Sequence, residues 1–345
     1  MSGKAVGVGL VGAGAFGVFC LEAFAQMPEV RIAAVADTVA DRADAVASGH
    51  GAAAYHGLEA MLDDPAVEIV ALNTPPFLHG EQGLAVLDAE RHLFCEKPLA
   101  LTLEAGEALI ENAQQGGLKL TVDYVMRYNP FWKAAADLRR DDLLGALRHM
   151  DLANHAAGLN LPGDHWFWDA SKSGGIWIEH GVHFFDACAW VAGVPGEITA
   201  SAAYRRGDGV IDRVEALAHY GEAAAHFYHG FDQSSRTEQT TVTLAFERGY
   251  VTLREWVPTS VEILTTVAPD ALQPYLPGQT QIEALADGRT LARAFAPEGK
   301  ARVYQACIQA GMRDLAACVR DPQRQPAVTG EDGLESLRLA TAATR

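Results

Sequence analysis

Apolar and polar positions follow two different periods along the first third of the chain. Short continuous apolar runs, which are typical of strands buried on both faces, alternate with stretches that have the period of amphipathic helices. The apolar runs occupy residues 5–11, 31–36, 68–72, 92–95 and 119–125. The helical stretches occupy residues 16–26, 41–48, 58–62, 79–89 and 102–114. This alternation predicts a doubly wound parallel sheet covered by helices on both faces.

The pattern changes after Tyr124. A strand at 146–153 lies between helices predicted at 131–139 and 175–192. Runs of alternating residues then predict a large, mainly antiparallel sheet, and they occupy 197–205, 215–220, 223–230, 239–246 and 250–257. Helices predicted at 302–319 and 332–344 close the chain. We therefore expect two domains, residues 1–124 and 125–345, the second an α+β domain whose final helix can pack back on the first.

Composition narrows the classes of partner. The 345 residues suit two domains, and a hydrophobic content of 49% supplies a packed core for each. The net charge of -17 disfavours nucleic acid and anionic membranes, because both attract cationic surfaces. Met1–Lys4 and the run that follows lack the features of a signal peptide, and no run is long enough to span a bilayer. The five cysteines fit neither a disulfide framework nor a zinc site, so we expect buried thiols in a cytoplasmic protein.

A glycine-rich turn, Gly12-Ala13-Gly14-Ala15-Phe16-Gly17, connects the first predicted strand to the first predicted helix. Gly12 permits the tight turn, Gly14 lets a pyrophosphate approach the backbone, and Gly17 lets the helix lie close to the strand. The first helical residues, Ala15 and Phe16, offer N–H groups and the positive end of the helix dipole to the phosphates. This context predicts a Rossmann dinucleotide-binding domain.

Asp37 ends the second predicted strand, twenty positions after Gly17. A carboxylate at this point accepts hydrogen bonds from the ribose hydroxyls and repels a 2′-phosphate, so we expect NAD as the cofactor. NADP stays open, because Arg42 lies nearby in the sequence and would weaken that repulsion.

Five motifs, read in order along the chain, resemble the Gfo/Idh/MocA family of oxidoreductases, which includes glucose–fructose oxidoreductase and inositol dehydrogenase. They are Thr-Pro…His at 73–79, Glu-Lys-Pro at 95–99, Arg-aromatic-x-Pro at 125–130, Gly-Gly…His at 174–183 and the glycine-flanked approach to the last helix at 329–333. The resemblance covers nearly the whole chain. It implies that Thr74, Pro75, His79 and Glu96 contact the cofactor, with Glu96 on the nicotinamide-side ribose.

Lys97 follows the strand predicted at 92–95, and parallel sheets place ligands at the carboxyl ends of their strands. An ammonium group there can donate a hydrogen bond to a carbinol oxygen and stabilise the charge that develops during hydride transfer. By the resemblance, Lys97 is a catalytic residue that touches both substrate and cofactor. The alternative, a surface lysine after a strand, is disfavoured by the neighbouring Glu96 and Pro98.

Glu179 and His183 are four residues apart in the helix predicted over 175–192, so both are expected on one side of it. A carboxylate beside an imidazole raises its basicity and orients it, and the resemblance implies that His183 is the general base. The family usually has Asp where Glu179 stands, so the partner of Glu179 stays open between His183 and substrate. His180 is a neighbour of both, but the sequence indicates no further ligand, and we expect no metal.

An aromatic loop, His165-Trp166-Phe167-Trp168-Asp169, precedes this helix. Its ring faces suit the C–H faces of a sugar or cyclitol, with Trp166 as the predicted contact, and ordinary packing between the domains is an equal alternative. Tyr124 and Arg127 are likewise candidates either for substrate binding or for joining the domains.

These patterns predict an NAD(P)-dependent dehydrogenase or reductase that acts on a secondary alcohol or ketone of a sugar, glycoside or cyclitol, with the chemistry where the two domains meet. Two alternatives stay open. One is an NAD-dependent glycoside hydrolase that oxidises its substrate transiently, and the other is a regulator that binds dinucleotide without catalysis. The presence of Lys97 and His183 argues against the regulator. The open face of the second sheet predicts a homodimer or homotetramer.

Overall fold

The chain divides into two compact units in the computed structural model, which describes residues 5–345. Met1–Lys4, part of the segment without signal-peptide features, lie outside the described residues. Unit 1 comprises the described residues up to Tyr124 together with 171–174 and 305–338. Unit 2 comprises residues 125–170, 175–304 and 339–345.

Unit 1 is built on a parallel sheet. Its strands are β1 (Val6–Val11), β2 (Val30–Ala36), β3 (Ala53–Tyr55), β4 (Ile69–Leu72), β5 (His92–Cys95) and β6 (Leu120–Val122). The helices between them are α1 (Ala15–Phe24), α2 (Ala40–His50), α3 (Leu58–Leu62), α4 (His79–Asp88) and α5 (Leu103–Gly116). The sheet order is β3-β2-β1-β4-β5-β6 and each pairing is parallel, which confirms the predicted doubly wound sheet.

The central strands of unit 1 are buried along their whole length, as expected for strands covered on both faces. All residues of β1 and β4 are buried. The sequence pattern does not predict the edge strand β3, because two of its three residues are exposed and it has no apolar run. Residues 305–338 complete this unit, and Thr121 at the other edge donates from Oγ1 to the carbonyl of Val328 at 2.7 Å.

The glycine turn between β1 and α1 depends on close backbone approach. Gly12 has a φ of 91°, a left-handed value that glycine adopts without strain. A Cβ at Gly17 would lie only 1.9 Å from the carbonyl oxygen of Gly12. A Cβ at Gly14 would meet no heavy atom within 4 Å, and its φ of -70° suits any residue. The turn therefore requires glycine at its first and last positions for packing, whereas Gly14 leaves open space above the backbone.

Unit 2 is built on a nine-stranded, mainly antiparallel sheet. Its strands are β7 (Leu147–His155), β8 (Glu197–Arg205), β9 (Ile211–Tyr220), β10 (Ala223–Gly230), β11 (Gln239–Phe246), β12 (Gly249–Arg254), β13 (Ser260–Thr265), β14 (Gln279–Ala284) and β15 (Thr290–Phe295). The order is β14-β15-β13-β12-β11-β7-β10-β9-β8, and among these pairings β7 with β10 is the parallel one. This confirms the predicted α+β architecture and adds three strands, β13, β14 and β15, to the prediction.

The helices after residue 124 complete the described chain. They are α6 (Pro130–Arg140), α7 (Ala170–Ser173), α8 (Val182–Ala192), α9 (Pro269–Leu272), α10 (Lys300–Arg320) and α11 (Gly330–Thr344). Helix α6 begins at Asn129, whose buried Oδ1 accepts hydrogen bonds from the backbone N–H groups of Phe131 and Trp132. None of the helices in the described part of the chain combines the length and the apolar character needed to cross a bilayer. All five cysteines are buried free thiols, as predicted.

Gly17→Ala should destabilise unit 1, because the new methyl group overlaps the carbonyl of Gly12 and forces α1 away from β1. We expect a loss of about 1–3 kcal/mol, the usual effect of overpacking. The matched control Gly14→Ala should cost about 1 kcal/mol or less, since only a helix-capping preference is lost. Urea unfolding followed by circular dichroism compares the two variants. Equal stability of both would contradict the packing argument.

Candidate functional site

Asp37 is the residue that ties the end of β2 to the glycine turn. Its Oδ2 accepts a hydrogen bond from the backbone N–H of Ala13 at 2.9 Å, and its Oδ1 accepts one from Val39 at 2.8 Å. The side chain is 6% exposed, and the guanidinium of Arg42 lies 3.2 Å from Oδ2. The structure therefore brings together the turn and the acid that the sequence pairs, and it adds Arg42 as a partner of that acid.

The start of α1 has the properties of an anion site. Its N-cap is Gly14, which supplies no side-chain cap, and no acidic residue lies in the first turn. The N–H groups of the first turn are therefore not capped by this residue, and the helix dipole adds a partial positive charge. The open space above Gly14 would accommodate a pyrophosphate. These residues fit a dinucleotide.

His79 joins two loops at the carboxyl edge of the sheet. Its Nε2 lies 2.8 Å from the carbonyl oxygen of Thr74, and its Nδ1 lies 2.6 Å from that of Pro98. The ring is fully buried, and burial lowers the pKa of His79 although both carbonyls favour the protonated form. The ring has no exposed surface in this structure, and direct contact of His79 with a cofactor stays a prediction. Thr74 and Pro75 lie in the loop that His79 holds.

Lys97 and Glu96 follow β5 at the same edge. Lys97 is half-buried, and its backbone N–H donates to Oε2 of Glu96 at 3.2 Å. Glu96 is 7% exposed, and its carboxyl group faces the interior beside Asp123. Oε2 of Glu96 is thus engaged by the backbone and Oε1 is buried, and contact of Glu96 with a ribose stays a prediction.

Asp123 lies immediately after β6 and was not singled out by the sequence motifs. A carboxylate oxygen of Asp123, one of Glu96 and the Sγ of Cys20 all lie within 4.8 Å of one another. Burial raises the pKa of Asp123 to about 6, and burial together with the charge of Asp123 raises that of Glu96 well above its usual range. The signal for this pair was available, because Asp123 and Glu96 each follow a predicted strand of a parallel sheet.

In unit 2, the helix predicted over 175–192 begins with a π-helical segment. Trp177–Gly181 forms this wide turn, and α8 follows from Val182. Glu179 therefore lies on the π-turn and His183 on the α-helix, so their spacing in the sequence does not give the simple four-residue alignment. Such turns occur mostly at functional sites, because they re-aim the side chains that they carry.

Histidine and aromatic rings surround this turn. His183 is 2% exposed, and its ring centroid lies 5.3 Å from that of Trp256. His180 lies at the centre of the cluster, between 5.3 and 6.0 Å from the centroids of five rings. These rings belong to His183, Phe184, His229, Phe231 and Trp256. We name this group the aromatic cluster.

A polar chain fixes the tautomer of His229 behind this cluster. The hydroxyl of Thr240 donates to Oδ1 of Asn154 at 2.8 Å, so the amide nitrogen of Asn154 faces Nδ1 of His229 at 3.5 Å as a donor. The proton of the neutral ring then lies on Nε2. Burial lowers the pKa of His229 well below its ordinary value, and the charge of His180 acts in the same direction. His229 therefore remains neutral.

A cavity of about 90 Å³ opens beside the aromatic cluster in unit 2. His180 and Trp256 form its ring surfaces, and Lys300 lies 3.3 Å from a carboxylate oxygen of Glu255 and 3.4 Å from one of Glu238. Glu255 has a φ of 76°, a strained value for a residue with a side chain. Glu255 and the following Trp256 both line this cavity. Sequence patterns gave no signal for either residue.

The remaining substrate candidates differ in burial and in the contacts that they make. Tyr124 is fully buried and its hydroxyl is hydrogen-bonded to Ser336 inside unit 1, and substrate contact stays a prediction for Tyr124. Arg127 donates two hydrogen bonds to the carboxylate of Asp186, at 2.7 and 2.8 Å. This ion pair lies within unit 2 and fixes the position of the guanidinium group. Trp166 lies in a short helical turn and keeps part of its surface exposed. Substrate contact stays a prediction for Trp166.

Comparisons with known proteins agree with this architecture. An uncharacterized oxidoreductase of Synechocystis sp. is 30% identical over 43% of this chain and 40% of its own length. The scyllo-inositol 2-dehydrogenase (NADP(+)) of Bacillus subtilis is 27% identical over 51% of this chain and 49% of its own length. The matches thus span about half the length of these curated relatives, or less. Among solved structures, levoglucosan dehydrogenase in complex with NADH and levoglucosan has a TM-score of 0.84 at 17% identity, with 99% of this chain and 98% of that chain covered, and this likeness shows the fold.

Two family models match most of the chain between them. The model described as an oxidoreductase family with an NAD-binding Rossmann fold matches residues 6–124. The model described as a GFO/IDH/MocA C-terminal domain matches residues 132–252. The chain therefore belongs to the Gfo/Idh/MocA family of oxidoreductases, and unit 1 carries its NAD-binding Rossmann fold.

Proposed function

We propose that this protein is an NAD-dependent dehydrogenase or reductase that transfers a hydride between nicotinamide and a secondary alcohol or ketone of a sugar, glycoside or cyclitol. The position of Lys97 carries the proposal. It is a half-buried lysine at the carboxyl end of β5, on the sheet edge where the glycine turn and Asp37 also lie. Relatives named as inositol and xylose dehydrogenases support the substrate class.

Unit 1 supplies the cofactor site in this proposal. The N–H groups at the start of α1 bind the pyrophosphate above Gly14, and the carboxylate of Asp37 accepts bonds from the adenosine ribose. When bound, NAD supplies the hydride acceptor. The ion pair with Asp37 engages Arg42, so this guanidinium is not free to bind a 2′-phosphate while the acid is present.

Lys97 and His183 divide the proton chemistry. The Nζ of Lys97 donates a hydrogen bond to the carbinol oxygen and stabilises the negative charge that develops there. An imidazole nitrogen of His183 takes the hydroxyl proton, and the carboxylate of Glu179 raises the basicity of the site. Trp256, whose ring packs on His183, limits the approach of water to that nitrogen.

The composition of the cavity in unit 2 supports a polyhydroxylated substrate. Its lining combines the rings of His180 and Trp256 with the charged groups of Glu255 and Lys300. Aromatic faces stack on the C–H faces of a sugar ring, and carboxylates accept hydrogen bonds from its hydroxyls. The volume of about 90 Å³ suits part of one ring rather than a polymer.

We also propose that copies of the chain associate through the open face of the nine-stranded sheet. The register places Leu217, His226 and Asp151 in one row across β9, β10 and β7, and Leu217 is 48% exposed. Tyr250 of β12, 53% exposed, lies on the same face. Exposed large apolar side chains on a sheet face favour association.

Lys97→Met should lower kcat by about 100–1,000-fold, because it removes one donor to the developing oxyanion while it keeps most of the side-chain volume. The affinity for NADH, measured by fluorescence titration, should change by less than about threefold, roughly 0.6 kcal/mol. A panel of sugars, glycosides and cyclitols, scored for NADH and NADPH formation and for hydrolysed products, supplies the substrate. Lys133→Met, on an exposed lysine of α6, is the control.

Full turnover by Lys97→Met would overturn the assignment of Lys97. Hydrolysed glycosides without net NADH would favour the transient-oxidation reaction. Absence of turnover across the whole panel, together with tight dinucleotide binding, would overturn the proposed activity in favour of a regulator.

Asp37→Ser should shift cofactor preference toward NADP, since it removes the charge that repels a 2′-phosphate and frees Arg42 to bind it. The ratio of kcat/KM for NAD to that for NADP should fall by roughly tenfold or more, equivalent to about 1.4 kcal/mol. The control Asp41→Ser changes an exposed acid in the first turn of α2. An unchanged ratio in Asp37→Ser would contradict the role of Asp37.

Leu217→Glu should reduce the mass of the assembly, because it places a charge on the face proposed to pair with another copy. Sedimentation equilibrium of the variant and of the unmodified protein measures the change. Leu159→Glu, at a leucine that is 65% exposed outside the sheet, is the matched control. A monomeric unmodified protein, or the same mass for both variants and the parent, would contradict this interface.

A further inference from the structure

Two buried carboxyl groups lie side by side at the carboxyl edge of the parallel sheet. The register pairs Cys95 of β5 with Val122 of β6, so the next residues, Glu96 and Asp123, leave the sheet together. The backbone N–H of Asp123 donates to the carbonyl of Cys95 at 2.8 Å, which fixes this placement. Glu96 is 7% exposed and Asp123 is 2% exposed. Backbone pairing therefore forces the two acids into proximity in a largely buried space.

Two adjacent carboxylates cannot both remain ionised at low cost in such a space. Coulomb repulsion and loss of hydration both favour retention of a proton. The direction of the pKa is the same for both groups, upward, and for Asp123 it reaches about 6. Protons on such a pair belong to the pair as a whole, as in other buried carboxyl dyads.

The groups that face this pair determine its net charge. Cys20 of α1 and Cys95 of β5 are buried thiols whose pKa values are raised well above the ordinary value, so both stay neutral. His79 is buried, and burial lowers its pKa. Lys97 is the cation that acts on both carboxyl groups. One negative charge on the pair would balance Lys97, whereas two would exceed it.

We propose that Asp123 is a positioning residue that shares one proton with Glu96, so that the pair presents a single negative charge to Lys97. This inference rests on the proposed function, because it concerns the charge that Lys97 meets during hydride transfer. The pair neither gains nor loses a proton in turnover. The hydroxyl proton of the substrate goes to His183, and the hydride goes to the bound dinucleotide.

The shared proton has a consequence for the reaction. With one negative charge, the pair and Lys97 are together neutral, and the ammonium can stabilise negative charge on the substrate oxygen. When the pair loses its proton at higher pH, a second negative charge opposes that oxygen. Substrate oxidation should then slow relative to a variant that cannot acquire the second charge.

Asp123→Asn is the direct test, since the amide has the same shape and can donate to Glu96 but cannot ionise. Asp63→Asn, on an exposed aspartate of unit 1, is the matched control. The first readout is independent of activity and uses amide hydrogen exchange of β4, β5 and β6 to measure the opening of unit 1 between pH 5 and pH 8.

The sign follows from the raised pKa values. A carboxyl group whose pKa is higher in the folded than in the unfolded state stabilises the fold below its unfolded pKa and loses that contribution as pH rises through its folded pKa. Asp123, raised from 3.8 to about 6, therefore destabilises the unmodified protein progressively between these values. The protection of Asp123→Asn relative to the parent should rise roughly tenfold between pH 5 and pH 8, because part of the loss is already complete at pH 5. The ratio for Asp63→Asn should stay constant.

Two further measurements complete the test. Infrared difference spectra of the parent minus Asp123→Asn should show the carbonyl band of a protonated carboxylic acid at neutral pH. For the best substrate of the panel, the ratio of kcat for Asp123→Asn to kcat for the parent should rise about tenfold as pH increases from neutral into the alkaline range, where the pair loses its shared proton, the order expected for one buried charge. A structural role alone would lower kcat equally at every pH.

Three results would overturn the proposal. One is a hydrogen-exchange ratio that does not change with pH, and another is the absence of the carboxylic-acid band. The third is a divalent cation in the purified protein, shown by elemental analysis and lost in Asp123→Asn together with stability at pH 8. Failure of the proposed function gives a different result from any of these three. The hydrogen-exchange and infrared results would remain as expected, and only the turnover on which the kcat ratio depends would be absent.

Discussion

The parallel register of the sheet in unit 1 is the constraint on which its chemistry depends. Each strand ends at the same edge, and the residue after each strand leaves the sheet beside its neighbours. Gly12 follows β1, Asp37 follows β2, Glu96 follows β5 and Asp123 follows β6. The glycine turn, Asp37 and a buried acid pair thus arise from one geometric rule, and Lys97 receives its position from the same strand as Glu96.

The sequence predicted most of unit 1, because buried parallel strands read as continuous apolar runs and each glycine of the turn has a separate packing reason. Gly17, for example, lies so close to the carbonyl of Gly12 that no side chain fits between them. Family resemblance predicted roles for Lys97 and His183, and these roles stay predictions. The burial of His79, Glu96 and Tyr124 was not predicted, since a motif gives the residue type and not the depth at which the side chain lies.

The sequence predicted fewer of the strands and local turns of unit 2. The sequence pattern does not predict strand β14, because this strand is largely exposed and has few apolar residues. It is held in the sheet by its backbone pairing with β15. The π-turn at Trp177–Gly181 inserts one wider turn that no period in the sequence reveals. Trp256 packs on His183 and follows Glu255, whose left-handed backbone is uncommon for a residue with a side chain and is not signalled by the sequence.

The ring of His79 holds two loops of unit 1 together. Its ring spans the carbonyls of Thr74 and Pro98, and a fully buried imidazole leaves little freedom for either loop to move alone. Substitutions that remodel the loop at Thr74 would therefore be transmitted to the segment that bears Lys97. The position of Lys97 is accordingly linked through one imidazole ring to a loop more than twenty residues earlier in the chain.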